Sequence, residues 1–471
     1  MIRPTAATRP SLAPIALAAL LVVSSSPAVW ASGSSNSANA DADPTYAGEV
    51  ADILYRNCVS CHRPGEIAPM SLLSYKETRP WAKSIRSVVE TGTMPPWHAD
   101  SSRIAYDNDR SLSSKEIETI RKWVDAGAPL GDAESAPKPP VFEEGWRLGE
   151  PDMVFTAKRA FTVPVTDEEI PYQSITFHIE LEEDLYIDSW EIRPSALHAV
   201  HHANLVRSPS SLDGKSVGIA SAVMSGGDYI GSYLPGHSAV VYPEGMAYKL
   251  PKGSHLGIQV HYVSVGEEVV DELQFGVHFA QGRVDKVVRI VGTDYRDLEI
   301  PPNEAHYEIV DEIGLMYDMY ALSSGAHMHL RGSAYTMEVV RPDGTEQLIT
   351  DVPNYDFNWQ SNYVLAEPVF MPKGSKLRVT SVWDNSADNP YNPDPGATVK
   401  YGPWTNDEMI NSWSHVILAE EKLGLKIEDG RVVGRFDDAN LDFRTPFLIQ
   451  SLPQARGFQD NKEKIEAHDG E

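Results

Sequence analysis

The stretch Cys58-Val59-Ser60-Cys61-His62 holds both cysteines of the 471-residue chain in a CxxCH pattern, which is typical of covalent haem attachment. Two thioether bonds would join the porphyrin to Cys58 and Cys61, and His62 would ligate the iron from one side. The alternatives are an accidental CxxC beside a histidine and a small zinc site. A zinc site needs four ligands, usually from two such pairs, and the sequence has no second pair. The motif therefore predicts a covalent haem c.

A haem held in this way needs a second axial ligand, usually His or Met. Met94 follows in Thr93-Met94-Pro95-Pro96-Trp97, where the prolines stiffen the loop. The alternatives are that Met94 is an ordinary core methionine, or that His98 is the ligand. The sequence predicts Met94 as the second axial ligand.

The length and composition indicate a folded protein of several domains, roughly two to four. Apolar residues make up 42% of the chain and aromatic residues 9%. The formal charge of −27, from 40 basic and 67 acidic residues, argues against nucleic acid and anionic membrane surfaces as partners. The charge is compatible with cationic or neutral partners.

Residues 1–31 have the pattern of an export signal. Arg3 and Arg9 supply the positive start, residues 15–23 the apolar core, and Val29-Trp30-Ala31 a cleavage site. The apolar run is short for a spanning helix, and the alternative is a retained membrane anchor. We therefore expect a periplasmic or secreted protein without stable membrane insertion, which agrees with haem attachment after export. Residues 32–44 are small and polar and predict a flexible tether.

Residues 45–132 carry three helical patterns around the CxxCH motif. They cover residues 46–57, residues 74–90, and a third segment that begins with a capping box of Ser113 and Glu116 and closes at Gly127. Three helices around one such motif resemble a class I cytochrome c domain. This resemblance predicts a small all-α haem domain, followed by a stiff linker at residues 133–142.

Beyond the linker the pattern changes from helical to alternating, as in residues 174–180, 256–262 and 335–340. Turn signals such as Asp213-Gly214 and Pro342-Asp343-Gly344 separate the alternating runs. About 300 residues of this pattern exceed one sandwich. We expect two all-β antiparallel, jelly-roll-like sandwich domains, at residues 143–310 and 311–458. The charged residues 459–471 predict a disordered tail.

Five histidines of the β region lie in sequence contexts that indicate a metal. His327 and His329 are two apart, so both reach the same face of a strand. His201 and His202 are adjacent, so they can share an ion only at a strand end or a bulge. His261 lies in a third alternating run. Each histidine alone is more typical of an ordinary hydrogen-bonded residue, and only their order and surroundings favour a metal.

Four segments occur in one order along the β region: Ala199-Val200-His201-His202, Gln259-Val260-His261-Tyr262, His327-Met328-His329 and Thr405-Asn406-Asp407-Glu408-Met409-Ile410-Asn411. Together they resemble the copper type II, ascorbate-dependent monooxygenases, the family of peptidylglycine α-hydroxylating monooxygenase and dopamine β-monooxygenase. The resemblance covers roughly residues 143–450 and rests on the four segments together, since an HxH pair alone is a weak signal.

The resemblance implies two copper ions. One would be an electron-transfer copper, held by His201, His202 and His261. The second would be the copper at which O₂ is activated, held by His327, His329 and Met409. Imidazole suits both copper oxidation states and a thioether favours Cu(I). The alternatives are zinc at the three-histidine site and an ordinary packed methionine at Met409. Asn411, beside Met409, is a tentative substrate contact.

The sequence also departs from the family. Peptide-hydroxylating members hold the substrate carboxylate with an arginine two residues before the HxH pair, where this chain has Gly325. Peptide amidation is therefore not expected, and the substrate stays open between a small molecule and a peptide. No cysteine is left for the disulfides of the animal enzymes. His255 shares a strand face with His261, and His198, His237 and His415 are further extra histidines.

The family inserts one oxygen atom of O₂ into a C–H bond and takes two electrons from outside. We therefore expect an exported haem- and copper-dependent monooxygenase in which the fused haem delivers electrons to copper. A periplasmic cytochrome, a quinol-linked donor or an ascorbate-like reductant would be the external electron donor. The first rival is a haem–copper electron carrier or redox and copper sensor without oxygenase activity. The second gives the haem a separate task, such as docking to another periplasmic cytochrome.

Overall fold

The computed structural model describes residues 43–142, 145–218, 222, 226–234, 236 and 239–439. The predicted signal peptide, most of the predicted tether, the predicted tail and the end of the second predicted sandwich lie outside these residues. The described chain is mostly antiparallel β-sheet with a helical segment at its start, which confirms the prediction of a β-rich chain. Within these ranges, no helix combines the length and the apolar character that a bilayer crossing requires.

The helical segment contains four α-helices among the described residues: α1 (Ala51–Asn57), α2 (Tyr75–Thr78), α3 (Ala82–Glu90) and α4 (Ser114–Asp125). A π-helical turn (Tyr46–Val50) leads into α1, and short 3₁₀ turns follow at Arg79–Trp81 and Ala133–Ser135. The helix predicted over residues 74–90 is thus divided between α2 and α3. Pro80 lies in the intervening turn, and a proline cannot donate the backbone hydrogen bond that a continuous helix needs.

The capping box predicted for α4 is confirmed. The Ser113 hydroxyl accepts a hydrogen bond from the Glu116 backbone N–H, and the Glu116 carboxylate accepts one from the Ser113 N–H. The helix packs Ile120 and Trp123 against Leu54 of α1, and all three side chains are fully buried. The Trp123 Nε1–H donates to the Pro129 carbonyl at 3.0 Å, so the indole is buried without losing its polar partner.

Strands up to residue 287 form the first sandwich and its edges. They are β1 (Met153–Thr156), β2 (Phe161–Val163), β3 (Gln173–Thr176), β4 (Leu185–Arg193), β5 (Val200–Ser208), β6 (Asp228–Tyr233), β7 (Ala239–Val241), β8 (Met246–Leu250), β9 (His255–Tyr262), β10 (Val269–Asp271), β11 (Gln274–Phe279), β12 (Gly282–Val284) and β13 (Lys286–Val287). A further 3₁₀ turn, Leu197–Ala199, precedes β5.

Two sheets face each other in this sandwich. One has the order β1-β11-β4-β8-β13, with β7 also paired to β4, and the other has the order β3-β9-β5-β6. Trp190 and Phe275 from the first sheet share a core with Leu205 and Ile258 from the second. Each of these side chains is at most 1% exposed, which is the packing expected between the inner faces of a β-sandwich.

The later strands form the second sandwich and its edges, except the last two, which form a small sheet with β12 beside the first sandwich. They are β14 (Arg289–Val291), β15 (Glu299–Ile300), β16 (Tyr307–Gly314), β17 (Met319–His327), β18 (Gly332–Val340), β19 (Glu346–Val352), β20 (Tyr363–Met371), β21 (Lys376–Trp383), β22 (Val399–Lys400), β23 (Asn411–Leu418), β24 (Leu425–Glu428) and β25 (Arg431–Arg435). A 3₁₀ turn, Phe357–Trp359, precedes β20.

The sheets of the second sandwich have the orders β14-β23-β17-β20 and β16-β21-β18-β19. Ala321 and Val416 from one sheet pack with Met337 and Val379 from the other in a buried core. Because β14 already pairs with β23, the chain enters this sandwich before residue 310, where the sequence places the boundary between the two domains.

The two sandwiches also contact each other directly. Trp413 on β23 packs against Tyr229 on β6, with ring centroids 5.3 Å apart. His415, two residues along β23, is held between the Ser323 hydroxyl at 2.8 Å and the Ile230 carbonyl at 3.4 Å. Burial lowers the pKa of His415 to about 4, so the imidazole is neutral at pH 7 and joins the sandwiches as a polar bridge.

Residues 95–110, the crossing segment, leave the helices and lie on the second sandwich. Trp97 and Tyr106 enter its core and contact Tyr363, with ring centroids 5.0 and 5.5 Å apart. The Asp107 N–H donates to the Val364 carbonyl at 2.9 Å, and Tyr106 forms a β-bridge with Leu365. The crossing segment therefore ties the helices that surround Cys58 to the second sandwich.

Candidate metal centre

A bulge in β5 brings the adjacent His201 and His202 to one site. The pairing of β5 with β9 shifts register between Val200 and His202, and His202 lies directly opposite His261. An extra residue at a bulge re-aims its side chain, which is the condition that two neighbouring histidines need to share a ligand. The structure thus brings together the three histidines of the first predicted copper site.

The nitrogens of this three-histidine set have the spacing of metal ligands. His201 Nδ1 and His202 Nδ1 are 3.0 Å apart, and one ring nitrogen from each of the three histidines lies within 4.8 Å of the others. Two nitrogens that ligate one copper or zinc ion lie roughly 3 Å apart, since each bond is about 2.0–2.1 Å long. His261 Nδ1 is buried and has no hydrogen-bond partner among the described residues. These atoms fit one bound ion.

His327 and His329 form a second set at the end of β17. His327 Nδ1 lies 2.7 Å from Gln360 Oε1, and His329 Nδ1 lies 3.2 Å from the Asp407 carbonyl oxygen. Both partners are acceptors, so each Nδ1 carries the hydrogen and each Nε2 carries the lone pair. The Gln360 amide N–H donates to the Phe357 carbonyl, which keeps Oε1 turned towards His327. The Nε2 atom of His329 is buried without a partner among the described residues.

Met409 and Asn411 approach this second set from the neighbouring strand. Asn411 is the cross-strand partner of His327 in the last pair of the β17–β23 ladder, and Met409 precedes Asn411 by two residues. The Asn411 side-chain N–H lies 3.5 Å from the Met409 sulfur. Met409 is thus linked to the second set through Asn411, which contacts its sulfur, and through Glu408, which accepts from the backbone N–H groups of both His329 and Met409.

Burial makes the five imidazoles neutral at pH 7. Burial, followed by the nearby His261 and His327, lowers the pKa of His201 to about 3. Burial and then His327 lower the pKa of His261 to about 4. The same desolvation lowers the pKa values of His202, His327 and His329. Neutral rings keep a lone pair available, which is the state that binds a metal ion.

The two histidine sets are neighbours. The ring centroids of His202 and His327 are 5.3 Å apart, and those of His327 and His329 are 5.1 Å apart. The Phe357 ring lies 5.1 Å from the ring of His201 and 6.2 Å from that of His329. The five imidazoles form one continuous buried cluster between the two sandwiches.

Glu408 anchors the second set from behind. The fully buried carboxylate accepts hydrogen bonds from the backbone N–H groups of His329 (3.0 Å), Arg331 (2.6 Å) and Met409 (3.3 Å), and from Trp383 Nε1 (3.0 Å). Burial raises the pKa of Glu408 to about 7, although the same N–H donors favour the ionised form. This one side chain fixes the His329 segment to the Met409 segment.

The CxxCH residues lie at the edge of the helical segment. Cys58 and Cys61 are free thiols, and burial raises the pKa of Cys58 to about 12. Burial lowers the pKa of His62, and its Nδ1 atom is buried without a partner among the described residues. Two unpaired thiols and an unsatisfied imidazole nitrogen fit a covalently attached haem.

Met94 and His98, the two predicted choices for the second iron ligand, lie in different surroundings. Met94 is half-buried after α3, and its N–H donates to the Val88 carbonyl at 3.1 Å. His98 is turned towards the second sandwich, where its pKa is lowered by burial and raised by Asp356. Met70, which was not predicted as an iron ligand, packs against the helical core, and its backbone partly offsets the lowering of the His62 pKa by burial.

A cavity lies between the crossing segment and the three-histidine set. It is lined by Pro96 and Arg110 of the crossing segment, by His201 and His202, and by residues 357–361. A Cβ atom added at Gly236 would lie 2.9 Å from Cys61 Sγ, so the CxxCH motif touches the first sandwich. Glu66, close to the motif, forms an ion pair with Arg147 at 2.9 Å. The backbone N–H of Arg147 in turn donates to the carboxylate of Glu191 on β4.

His255 lies far from both histidine sets. It begins β9, whereas His261 lies near the other end of the same strand, six residues and about 20 Å away. His255 pairs with Ser208, at the far end of β5 from His202. Sharing a strand face does not bring His255 to the metal set. His237 lies outside the described residues.

Three side chains that contact the histidines were not predicted as site residues. Gln360 orients His327, Glu408 anchors His329, and the ring of Tyr172 lies 4.8 Å from that of His261. Glu408 falls within the Thr405 to Asn411 motif that the sequence analysis identified, but the motif did not predict that its carboxylate would accept hydrogen bonds from the His329 segment. Gln360 and Tyr172 belong to loops, where no spacing signal marks a contact with a distant strand.

Gly325 explains physically why this chain has no arginine two residues before the HxH pair. A Cβ atom added there would lie 2.5 Å from the Trp413 ring and 3.0 Å from the Ser361 carbonyl. No side chain fits without displacing the indole, which itself packs between the sandwiches. Recognition of a substrate carboxylate from position 325 is therefore sterically closed.

The Gly325→Ala variant is expected to lose about 1–3 kcal/mol of unfolding free energy, because overpacking shifts the Trp413 indole. Urea unfolding followed by tryptophan fluorescence measures this loss. Gly314→Ala is the matched control, since a Cβ there meets nothing within 4 Å. Equal stability of the two variants would contradict the close packing at Gly325.

No family model matches the chain, and no curated protein matches it. Among solved structures, it is similar to the major capsid protein P2 from bacteriophage PM2 (10% identity, TM-score 0.22, 56% of this chain and 97% of that one). It is also similar to the structure of infectious bursal disease virus, Gx strain, with 13% identity and a TM-score of 0.16 over 56% of this chain and 69% of that one. A third similar structure is the CBM22-1-CBM22-2 tandem domain of Xyn10C from Paenibacillus barcinonensis, with 13% identity and a TM-score of 0.15 over 60% of this chain and 96% of that one. TM-scores this low support no inference about the fold or the function of this chain.

Proposed function

We propose that the chain is an exported haem- and copper-dependent monooxygenase, related to the copper type II ascorbate-dependent monooxygenases. It would insert one oxygen atom of O₂ into a C–H bond of a small-molecule or peptide substrate. The observation that carries the proposal is the pair of adjacent histidine sets. In the first set His201 Nδ1 and His202 Nδ1 lie 3.0 Å apart, and in the second set the Nδ1 contacts of His327 and His329 leave the lone pair of each ring on Nε2.

The proposal includes a finer assignment of the domains. The helices around Cys58 would be a class I cytochrome c domain, and the two sandwiches would be jelly-roll-like copper domains. Support comes from the helical core around the CxxCH motif and from the facing antiparallel sheets. Because the crossing segment packs into the second sandwich, the haem domain would be docked rather than freely tethered.

When bound, two copper ions would supply one-electron transfer and reduction of O₂, and the haem would supply electrons. The chain's own contribution is the position of the ligands. The β5 bulge presents His201 and His202 together, and Gln360 and the Asp407 carbonyl hold His327 and His329 in the Nδ1–H tautomer.

The two sets differ in the chemistry of their donors. His201, His202 and His261 offer imidazole alone, which suits a copper that passes electrons. His327, His329 and Met409 add a soft thioether, which favours Cu(I) and so suits the ion that meets O₂. Burial of His329 at 0% exposure and of His327 at 6% keeps bulk water from this set.

The haem would act as an electron donor built into the chain. Cys61 touches the first sandwich at Gly236, and the cavity lined by Pro96 and Arg110 opens onto His201 and His202. A donor fixed beside its acceptor needs no diffusional encounter. Two electrons per turnover would enter from a periplasmic cytochrome, a quinol-linked donor or an ascorbate-like reductant.

The Met409→Ile variant tests the oxygenase proposal. Its rate of ¹⁸O incorporation from ¹⁸O₂, measured over a panel of small molecules and peptides, is expected to fall about a hundredfold or more, because the thioether ligand is lost. Haem content is expected to stay unchanged. Met246→Ile, a half-buried methionine on β8, is the matched control.

Wild-type rates in Met409→Ile would contradict an oxygen-activating site at this position. Absence of ¹⁸O incorporation by the wild-type protein, together with copper-dependent oxidation of the haem, would favour the rival electron carrier or sensor.

A further inference from the structure

Arg110 places a positive charge at the cavity that His201 and His202 line. Its Nη1 atom would lie 3.2 Å from a Cβ at Gly236, the same point that Cys61 Sγ approaches to 2.9 Å. Arg110 lines the cavity with His201 and His202 and is half-buried. Arg110 is therefore close both to the CxxCH motif and to the three-histidine set.

None of the acidic groups among the described residues pairs with Arg110. Within the described residues, Arg110 forms no ion pair and no hydrogen bond, and the groups that act on it electrostatically are Cys61, Tyr363 and Arg147. The neighbouring arginines differ, since Arg63 and Arg147 both pair with Glu66. Arg147 thus has a carboxylate partner in Glu66, whereas one of the groups that act on Arg110, Arg147 itself, is also positively charged. Desolvation lowers the pKa of Arg110, which marks the cost of burying a guanidinium without a counter-charge.

We propose that Arg110 binds a carboxylate group at the junction between the CxxCH motif and the three-histidine set. A guanidinium matches a carboxylate with two parallel hydrogen bonds, and the five donors of this one are unused by the described residues. Arg110 lines this cavity beside His201 and His202, so a bound carboxylate would lie next to the three-histidine set.

Two sources can supply this carboxylate. One is a propionate of a haem attached at Cys58 and Cys61, which would fix the haem edge against the first sandwich. The other is the carboxylate of an organic substrate, which Arg110 would bind in place of an arginine at position 325. The assignment of either source rests on the proposed function, whereas the carboxylate site itself rests only on Arg110 and its surroundings.

The test uses the haem-loaded full-length protein with Arg110→Gln, Arg110→Met and the matched control Arg121→Gln. Arg121 lies on the exposed face of α4 and pairs with Glu118. Three quantities are measured: the haem midpoint potential, the binding of acetate and of acetamide by calorimetry, and the midpoint of thermal unfolding.

If a haem propionate is the partner, both Arg110 variants lower the haem midpoint potential and the unfolding temperature, Arg121→Gln changes neither, and acetate does not bind. If a substrate carboxylate is the partner, the potential stays unchanged. Acetate then binds the wild-type protein saturably and Arg110→Gln at least tenfold more weakly, and acetamide does not bind. Either pattern supports the proposal.

An unchanged potential without acetate binding would overturn the proposal, as would acetate binding that Arg110→Gln leaves unaltered. Haem content is determined separately. If no haem is attached, the proposed haem function fails, and acetate titration of the same protein still decides the role of Arg110.

Discussion

The Glu408→Leu protein is expected to lose about 3–5 kcal/mol of unfolding free energy and to bind no metal at the second histidine set. The carboxylate accepts from three backbone N–H groups and the Trp383 indole, all of them at a side chain that is 0% exposed. Leucine leaves these donors buried and unsatisfied, which is among the costliest single changes in a protein interior. The segments that carry His329 and Met409 then lose their common anchor.

Urea unfolding and copper analysis of the folded fraction measure the two effects separately. Glu408→Gln keeps the volume and one acceptor oxygen, so its loss of stability is expected to be smaller. Glu299→Leu, at an exposed position on β15, is the control and is expected to change neither quantity. A Glu408→Leu protein as stable as this control would show that the carboxylate does not anchor the set.

The His261→Ala protein is expected to lose one of two bound coppers and to retain its haem. His261 is the cross-strand partner of His202, and its buried Nδ1 lacks any other described partner, so its removal takes a ligand without breaking a hydrogen bond. Because the three-histidine set would receive electrons from the haem, reoxidation of ferrous haem by O₂ is expected to slow about a hundredfold or more.

Stopped-flow absorbance of the haem after mixing with O₂ measures this rate, with and without added copper. His255→Ala is the matched control, because His255 lies on the same strand and about 20 Å from the site. Equal rates in the two variants, or a wild-type rate that ignores copper loading, would contradict electron transfer through the three-histidine set.

Local patterns in the sequence predicted those parts of the fold that depend on neighbours along the chain. The capping box at Ser113 and the alternating strands are local, and both are confirmed. The need for a bulge or a strand end at His201 and His202 also followed from strand geometry alone, and the register shift in β5 meets it. Pro80 was visible as well, yet its effect on the predicted helix was not weighed.

Contacts between distant segments were not predictable in this way. The apolar side chains of the crossing segment, such as Trp97 and Tyr106, follow neither a helical nor an alternating period, because they pack on a sheet more than two hundred residues away. Gln360, which hydrogen-bonds His327, and Arg110, which lines a cavity with His201 and His202, both lie in loops. No residue spacing in a loop predicts such a contact. Contacts between residues so far apart in the sequence can be identified only from the folded structure.

Metal analysis of protein expressed with export and haem attachment tests the central claim most directly. The account predicts one haem iron and two coppers per chain, with one copper lost in His261→Ala and the other lost in Met409→Ile. A single zinc per chain, without copper, would contradict it.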